Sequence, residues 1–236
     1  MTGAGTAAVE RSPDYLASDD AGDQTGDRSV AGRIADALAR RIISGALPPG
    51  AAVRQDHVAH EFGASHVPVR EAFRKLEAQG LLVSLPRRGV RVAPLDPADV
   101  REVTAMRAAL EGLALRQAMP ALTAAALAEA KAAIVEGEAS DRIDVWEAAN
   151  RRFHRALSLP AAMPRLLAAV DDLQRVAARY LHAAWQDLGW QPRSQAEHRA
   201  ILAAVEAGDG DRAVSLLDAH IRAAGETLAR ALERRG

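Results

Sequence analysis

Cysteine is absent from this sequence. That excludes a disulfide framework and a thiolate metal site, so any metal must be held by nitrogen or oxygen. Aromatic residues make up only 3 % of a chain that is 49 % hydrophobic. Ala and Leu carry the apolar load instead, and both are strong helix formers. A mostly helical protein packed through small aliphatic contacts is expected. No run of about 18 apolar residues occurs, so no membrane span is read. Residues 1–28 have no basic stretch followed by an apolar one, so they are not read as a secretory signal. A cytoplasmic location is the resulting expectation.

An excess of one charge is also missing, since the net charge is −1. The balance nevertheless divides along the chain. Residues 1–28 carry 2 Lys+Arg against 6 Asp+Glu, residues 29–94 carry 10 against 5, and residues 95–236 carry 18 against 20. Only the middle segment is basic, a footprint shared by modules that meet polyanions and by many ordinary surfaces. Residues 1–28 are rich in small and acidic residues without an apolar period, and are expected to form a disordered acidic tail.

From Ser29 to Ile43 apolar residues recur every four positions (Val30, Ile34, Leu38, Ile42), which predicts a helix ended by Gly45 and the Pro48-Pro49-Gly50 stretch. A second short helix is expected over 55–62. Gly63-Ala64 make a turn, and Ser65 is placed as the N-cap of a third helix from His66 to about Gln79, its hydroxyl taking a free backbone N–H. Two β-prone runs, 81–85 and 90–93, flank the basic turn Pro86-Arg87-Arg88-Gly89 and predict a hairpin. Asp96 is expected to cap a helix that opens at Pro97. Beyond it, helices are expected at about 97–118, 124–138, 142–158, 162–185, 194–207 and 210–234, with Ser194-x-x-Glu197 read as a capping box. The fold class is therefore mainly α. An N-terminal winged helix-turn-helix over 29–94 is followed by an all-helical bundle over 95–236.

Helix, turn, helix and basic hairpin in that order place the N-terminal end of the third helix in the major groove of double-stranded DNA. Ser65, His66 and Arg70 lie there, with Arg74 one turn further on. Arg can donate two bonds to a guanine edge. Arg87, Arg88 and Arg91 on the hairpin are candidates for phosphate or minor-groove contact, with Gly89 letting the wing turn. A single short helix reads few bases, so a homodimer on a two-fold site is expected.

These same residues resemble the GntR-type winged-helix regulators. The resemblance rests on Leu47-Pro48-Pro49-Gly50, Gly63 through Ala72, Leu76, Gly80-Leu81 and Pro86 to Val92, and it spans almost all of 29–94. It implies a DNA operator as partner and assigns Arg70 a DNA contact. His66 stands where relatives carry Arg, Phe73 where they carry Leu, and Gln55-Asp56 where Glu and a basic residue are common. The first and last departures bear on which bases are read.

In the bundle, polar residues interrupt apolar stripes. Asn150 falls on the stripe of Trp146, Phe153 and Leu157, with His154 beside it. His198 shares a face with Ile201, Leu202 and Val205, and His220 with Val214, Leu217, Ala224 and Leu228. Buried polar groups need partners. Each imidazole could be separately hydrogen-bonded in the core, or all could share one divalent metal. Three His on three stripes favour the shared site. His57, His60 and His182 are read as surface residues.

This region is similar to the FCD effector domain of the same family. That resemblance implies an acidic residue and three His around a divalent metal, with positions open for a small carboxylate effector. It assigns Asn150, His154, His198 and His220 as ligands, with Asn150 in the carboxylate's place. It implies zinc, with nickel or manganese as alternatives, and places Arg107 of the pair Arg107–Glu111 at the effector pocket. A surface i, i+4 ion pair is the other reading of Arg107. Six helices suit the shorter, VanR-like variety of FCD domain. The function expected is a sequence-specific transcriptional regulator, a repressor controlled by the carboxylate. The rival is a metal-dependent enzyme with an incidental winged helix, disfavoured because no general-base carboxylate is evident beside the three His.

Overall fold

The computed structural model describes residues 29–185 and 191–234; the expected acidic tail lies outside them. The N-terminal module is built from α1 (Val30–Ile43), α2 (Gln55–Phe62), α3 (His66–Ala78), β1 (Leu82–Leu85) and β2 (Gly89–Val92). Ser29 starts α1 by accepting the Gly32 N–H at 2.9 Å. The stripe read from sequence is its buried face, with Ile34, Leu38 and Ile42 nearly inaccessible, whereas Val30 at the first turn is exposed. These side chains pack with Val69, Phe73 and Leu76 of α3 and with Leu81, Leu82 and Val92 of the hairpin. One core thus fixes α3 against both α1 and the wing. Gly63 ends α2 at φ 57°, a left-handed cap that glycine adopts without a Cβ clash.

The hairpin is antiparallel, with Leu82 opposite Val92 and Leu85 opposite Gly89. The segment after Gly50 adds a bridge that the sequence did not announce. Ala52 pairs with Arg91, and Val53 N–H donates to the Val90 carbonyl. This anchors the wing to the chain entering α2.

The helical part comprises α4 (Pro97–Ala118), α5 (Ala124–Glu138), α6 (Ile143–Ser158), α7 (Pro164–Ala184), α8 (Gln191–Glu206) and α9 (Gly210–Glu233), with short 3-10 turns at Met119–Ala121 and Leu159–Ala161. Local signals set most of the starts. Asp96, Thr123 and Asp209 each accept a backbone N–H of the following turn. The expected capping box at Ser194 does not form. Helix α8 already runs from Gln191, Ser194 is buried inside it, and Glu197 is drawn to other partners. Antiparallel α4 and α9 pack along most of their length. At Gly225 the missing Cβ admits Thr104 of α4. Besides a small cluster of Ala114, Leu166 and Val170, two clusters form the bundle core among the described residues. One gathers around Phe153, Leu157, Ile201 and Ile221, the other around Trp146, Tyr180, Leu228 and Leu232. The site described next lies among residues of both.

Candidate functional site

Three helices deliver one imidazole each to the interior of the bundle. His154 of α6, His198 of α8 and His220 of α9 are 4 %, 1 % and 4 % exposed. One ring nitrogen from each lies within 4.8 Å of the other two, and His198 Nε2 is 3.1 Å from His220 Nε2. Phe153 stacks on His198 with ring centroids 4.2 Å apart and limits how that ring can turn.

The opposite ring nitrogens are held by a second layer of polar groups. His198 Nδ1 is 3.1 Å from Gln195 Oε1, and His220 Nδ1 is 2.8 Å from Glu197 Oε2. His154 Nδ1 is 2.8 Å from Glu111 Oε2, a close contact off the linear geometry of a hydrogen bond. Such partners fix the tautomer and orientation of metal-binding imidazoles. Sequence reading missed all three. In the sequence Glu111 reads only as a partner for Arg107, and Glu197 as a cap. The usable signal was that each lies within one helical turn of a candidate residue.

Electrostatics suit a cation at the centre. Burial, reinforced by His220 and His154, holds His198 well below the usual imidazole pKa. Burial also lowers His220, with Glu197 partly opposing. Neutral imidazole is the ligating form, so no proton need leave these two rings. Burial alone would raise the Glu111 carboxyl, but Arg107 and His154 outweigh it and hold the group down to about 2. It is therefore a fixed negative charge behind the His cluster. Arg107 Nε donates to Glu111 Oε1 at 2.8 Å. This is the i, i+4 pair read from sequence, but it is buried, the side chains being 14 % and 2 % exposed. His182, read as a surface residue, is half-buried, and burial lowers its pKa. His57 and His60 are exposed as expected.

A cavity opens beside the cluster, with about 40 Å³ reachable by the centre of a water-sized molecule. Arg107, Glu147, Asn150, Arg151, His154, Gln174 and His220 supply its polar lining, with Trp146, Leu181 and Ile221 among its apolar walls. Asn150 is half-buried and shares this cavity with His154. The three His fit a divalent ion, with nitrogen donors converging and outer nitrogens braced.

The DNA-facing candidates lie on another surface. Ser65, His66, Arg70 and Arg74 are all exposed on α3. Ser65 holds the N-cap position, but its hydroxyl makes no capping hydrogen bond, contrary to expectation. His66 Nε2 lies 3.8 Å from Asp56 Oδ1 of α2, so the two departures from the family pattern face each other. At the wing tip Arg88 N–H donates to the Leu85 carbonyl, and Arg87 sits at φ 62°. With Pro86 before it, this is a type II turn whose third position normally takes Gly. Arg87, Arg88 and Gly89 project into solvent. Arg91 is not available in the same way, because its guanidinium donates to the Gly50 carbonyl at 2.9 Å.

Comparison with known proteins divides the chain similarly. Residues 30–92 match the pattern of bacterial regulatory proteins of the gntR family, and residues 102–223 match the FCD domain. The chain is 37 % identical over 200 residues to a probable D-xylose utilization operon transcriptional repressor of Paenarthrobacter nicotinovorans, covering 83 % of this chain and 87 % of that protein. It is 25 % identical to the HTH-type transcriptional repressor RspR of Escherichia coli, covering 81 % and 85 %. Among solved structures, a GntR family transcriptional regulator from Pseudomonas syringae superposes with a TM-score of 0.57 at 32 % identity, over 90 % of each chain. E. coli McbR/YncC shares the fold with a TM-score of 0.72 at 23 % identity, over 88 % and 99 %.

Proposed function

Because this chain belongs to the GntR family of bacterial regulatory proteins and carries an FCD domain, we propose that it is a homodimeric, metal-containing repressor that releases its operator when a small carboxylate enters the cavity beside His154, His198 and His220. Its relatives are transcriptional regulators, which sets aside the metal-dependent enzyme. Residues 29–94 are proposed as the DNA-binding domain and 95–236 as the effector and dimerisation domain. Among the described residues no helix is long and apolar enough to cross a membrane.

The observation that carries the effector reading is the braced His cluster next to an accessible cavity. His154, His198 and His220 would hold the ion, with Asn150 as a fourth, neutral ligand from the same helix as His154. Zinc suits nitrogen-rich sites of this size, and nickel or manganese are the alternatives. When bound, such an ion supplies a Lewis-acidic centre for an effector carboxylate. Arg107, facing the same cavity, has guanidinium donors beyond its bond to Glu111 and would orient that carboxylate. Glu111 and Glu197 hold the imidazole rings from behind, so effector contacts can change without the ligands turning.

Dimerisation is supported by exposed apolar residues on α4. Met106 and Leu113, seven residues apart and hence on one face, are 45 % and 41 % exposed, and Leu159 on the adjoining turn is 49 % exposed. The small residues of the same helix divide between its two sides. Ala108, Ala114 and Ala118 are internal, and Ala109 is exposed.

Selection from a random duplex library by the purified zinc-loaded protein tests the DNA reading. One enriched two-fold sequence is expected, bound less tightly as salt rises. Arg70→Ala should weaken that binding by about 1–3 kcal/mol and relax the preference at one base pair of each half-site. No enriched sequence would remove the reading. Metal analysis of the same preparation, with His198→Ala as control, tests the His cluster separately.

A further inference from the structure

We infer that Gln174 is the residue by which the cavity recognises its effector, and that it selects a small acid carrying hydroxyl groups over unsubstituted aliphatic acids, dicarboxylates and aromatic acids. The inference rests on the carboxylate reading of the same cavity and adds what the rest of the molecule must be.

Gln174 lies on α7 and is 6 % exposed. Neither its Nε2 nor its Oε1 has a hydrogen-bond partner among the described residues, yet it lines the cavity with Arg107, Asn150 and His154. The other α7 residues in that lining, Ala177, Ala178 and Leu181, are all apolar. A buried amide with both ends unpaired is unfavourable for folding alone. Its retention at the wall of a cavity points to a ligand that completes it.

The amide offers two donors and one acceptor. A carboxylate can only accept, so it would leave Oε1 unmet, and an alkyl or aromatic carbon would leave both ends unmet. A hydroxyl both donates and accepts, and a neighbouring pair of hydroxyls can satisfy Nε2 and Oε1 together. The cationic and metal-binding groups come from α4, α6, α8 and α9. Gln174 therefore reads a different part of the ligand from the part that carries its charge. The limited free space restricts the ligand to a few carbons.

Titration calorimetry of the zinc-loaded, full-length protein with matched acids tests this. The probes are propionate, lactate and glycerate, then succinate and benzoate. Wild type should bind glycerate at least about tenfold more tightly than propionate, because a site with buried polar groups rejects the analogue that leaves them unpaired. Gln174→Met, nearly equal in volume, should bring that ratio to within about twofold by weakening glycerate alone. Its ligand-free melting temperature should not fall, since an unpaired buried amide is being removed. Gln174→Leu, which also removes both polar ends without adding charge, should likewise lose the preference and serves if the Met variant misfolds. A preference unchanged in both variants overturns the inference, as does a lowered melting point with the preference intact, which would make Gln174 structural. Wild-type binding of propionate, succinate or benzoate as tight as glycerate overturns it while leaving the carboxylate reading in place. Binding of none of the five acids removes both.

Discussion

Gly137 on α5 lies where an added methyl group would act on the His cluster, the proposed metal site, without touching it. An ideal Cβ there would stand 2.4 Å from Gln195 Nε2, the amide whose Oε1 holds His198 Nδ1. Gly137→Ala should improve helix propensity yet force that amide away. Loss of such a bracing partner typically lowers metal affinity about 10–100-fold. Competition with a chromophoric chelator would measure it, and an unchanged zinc affinity would show that Gln195 does not position His198. Glu147, also at the cavity, gives a pH prediction. Burial raises its carboxyl above the usual value, with Arg151 and Arg107 only partly opposing. A raised folded-state pKa favours folding fully below the unfolded value of about 4.5, and that contribution is lost as pH rises through the folded value. Glu147→Gln keeps the neutral form, so it should melt above wild type at pH 7 and coincide with it near pH 4. Thermal melts across that range decide the point, and a constant gap would contradict it.

At the scale of elements, the α4–α9 pair is the closest helix crossing that the glycines reveal. A Cβ on Gly225 would fall 2.0 Å from Thr104 Oγ1 and 2.7 Å from its Cβ. Thr104 cannot easily turn away, because its branched side chain is stiff at χ1 and its hydroxyl donates to the Val100 carbonyl at 2.7 Å. Gly225→Ala should therefore destabilise by about 1–3 kcal/mol through overpacking. Thr104→Ala in the same chain should restore part of the loss, since it removes the two closest atoms but leaves the Cβ. Denaturant midpoints of the single and double variants read this directly. Equal effects with and without Thr104→Ala would place the strain elsewhere. Helix α9 also carries His220, so a shift of this crossing should reach the His cluster as well.

Across the whole molecule, α7 joins the two halves. Its residue Asp172 accepts from Gln79 Nε2, just past the end of α3, at 2.9 Å. Arg179 donates to the carbonyl of Ala93, where the wing leaves for the bundle. Between these ties, Gln174 and Ala178 face the cavity. Asp172 and Arg179 stand about 10 Å apart along α7, so a ligand contact at Gln174 between them would bias both ties as one rigid element. Asp172→Ala combined with Arg179→Met is expected to leave DNA affinity nearly unchanged and to weaken release by the acid that binds wild type best. Couplings of this kind are worth about 5–150-fold. Fluorescence anisotropy of labelled operator, titrated with that acid, would show it. Release as complete as in wild type would exclude α7 as the connection.

The sequence by itself determined the helices and the wing to within about three residues, the largest shift being the start of α8 at Gln191 instead of Ser194. Their starts and stops are local: Ser29, Asp96, Thr123 and Asp209 bind their own next turn, and Pro97 or Gly63 acts through its own backbone. It also determined that His154, His198 and His220 face inward, because a 3.6-residue period ties each to an apolar stripe. Only the tertiary structure decided what each inward group meets. It took Glu197 from a capping role to His220, bound Arg91 to Gly50, turned Ala108 and Ala114 into the bundle, and left Gln174 facing the cavity unpaired. Periodicity fixes the direction of a side chain from a helix axis. The identity of its partner depends on how helices distant in sequence cross, and no local pattern in the chain encodes that.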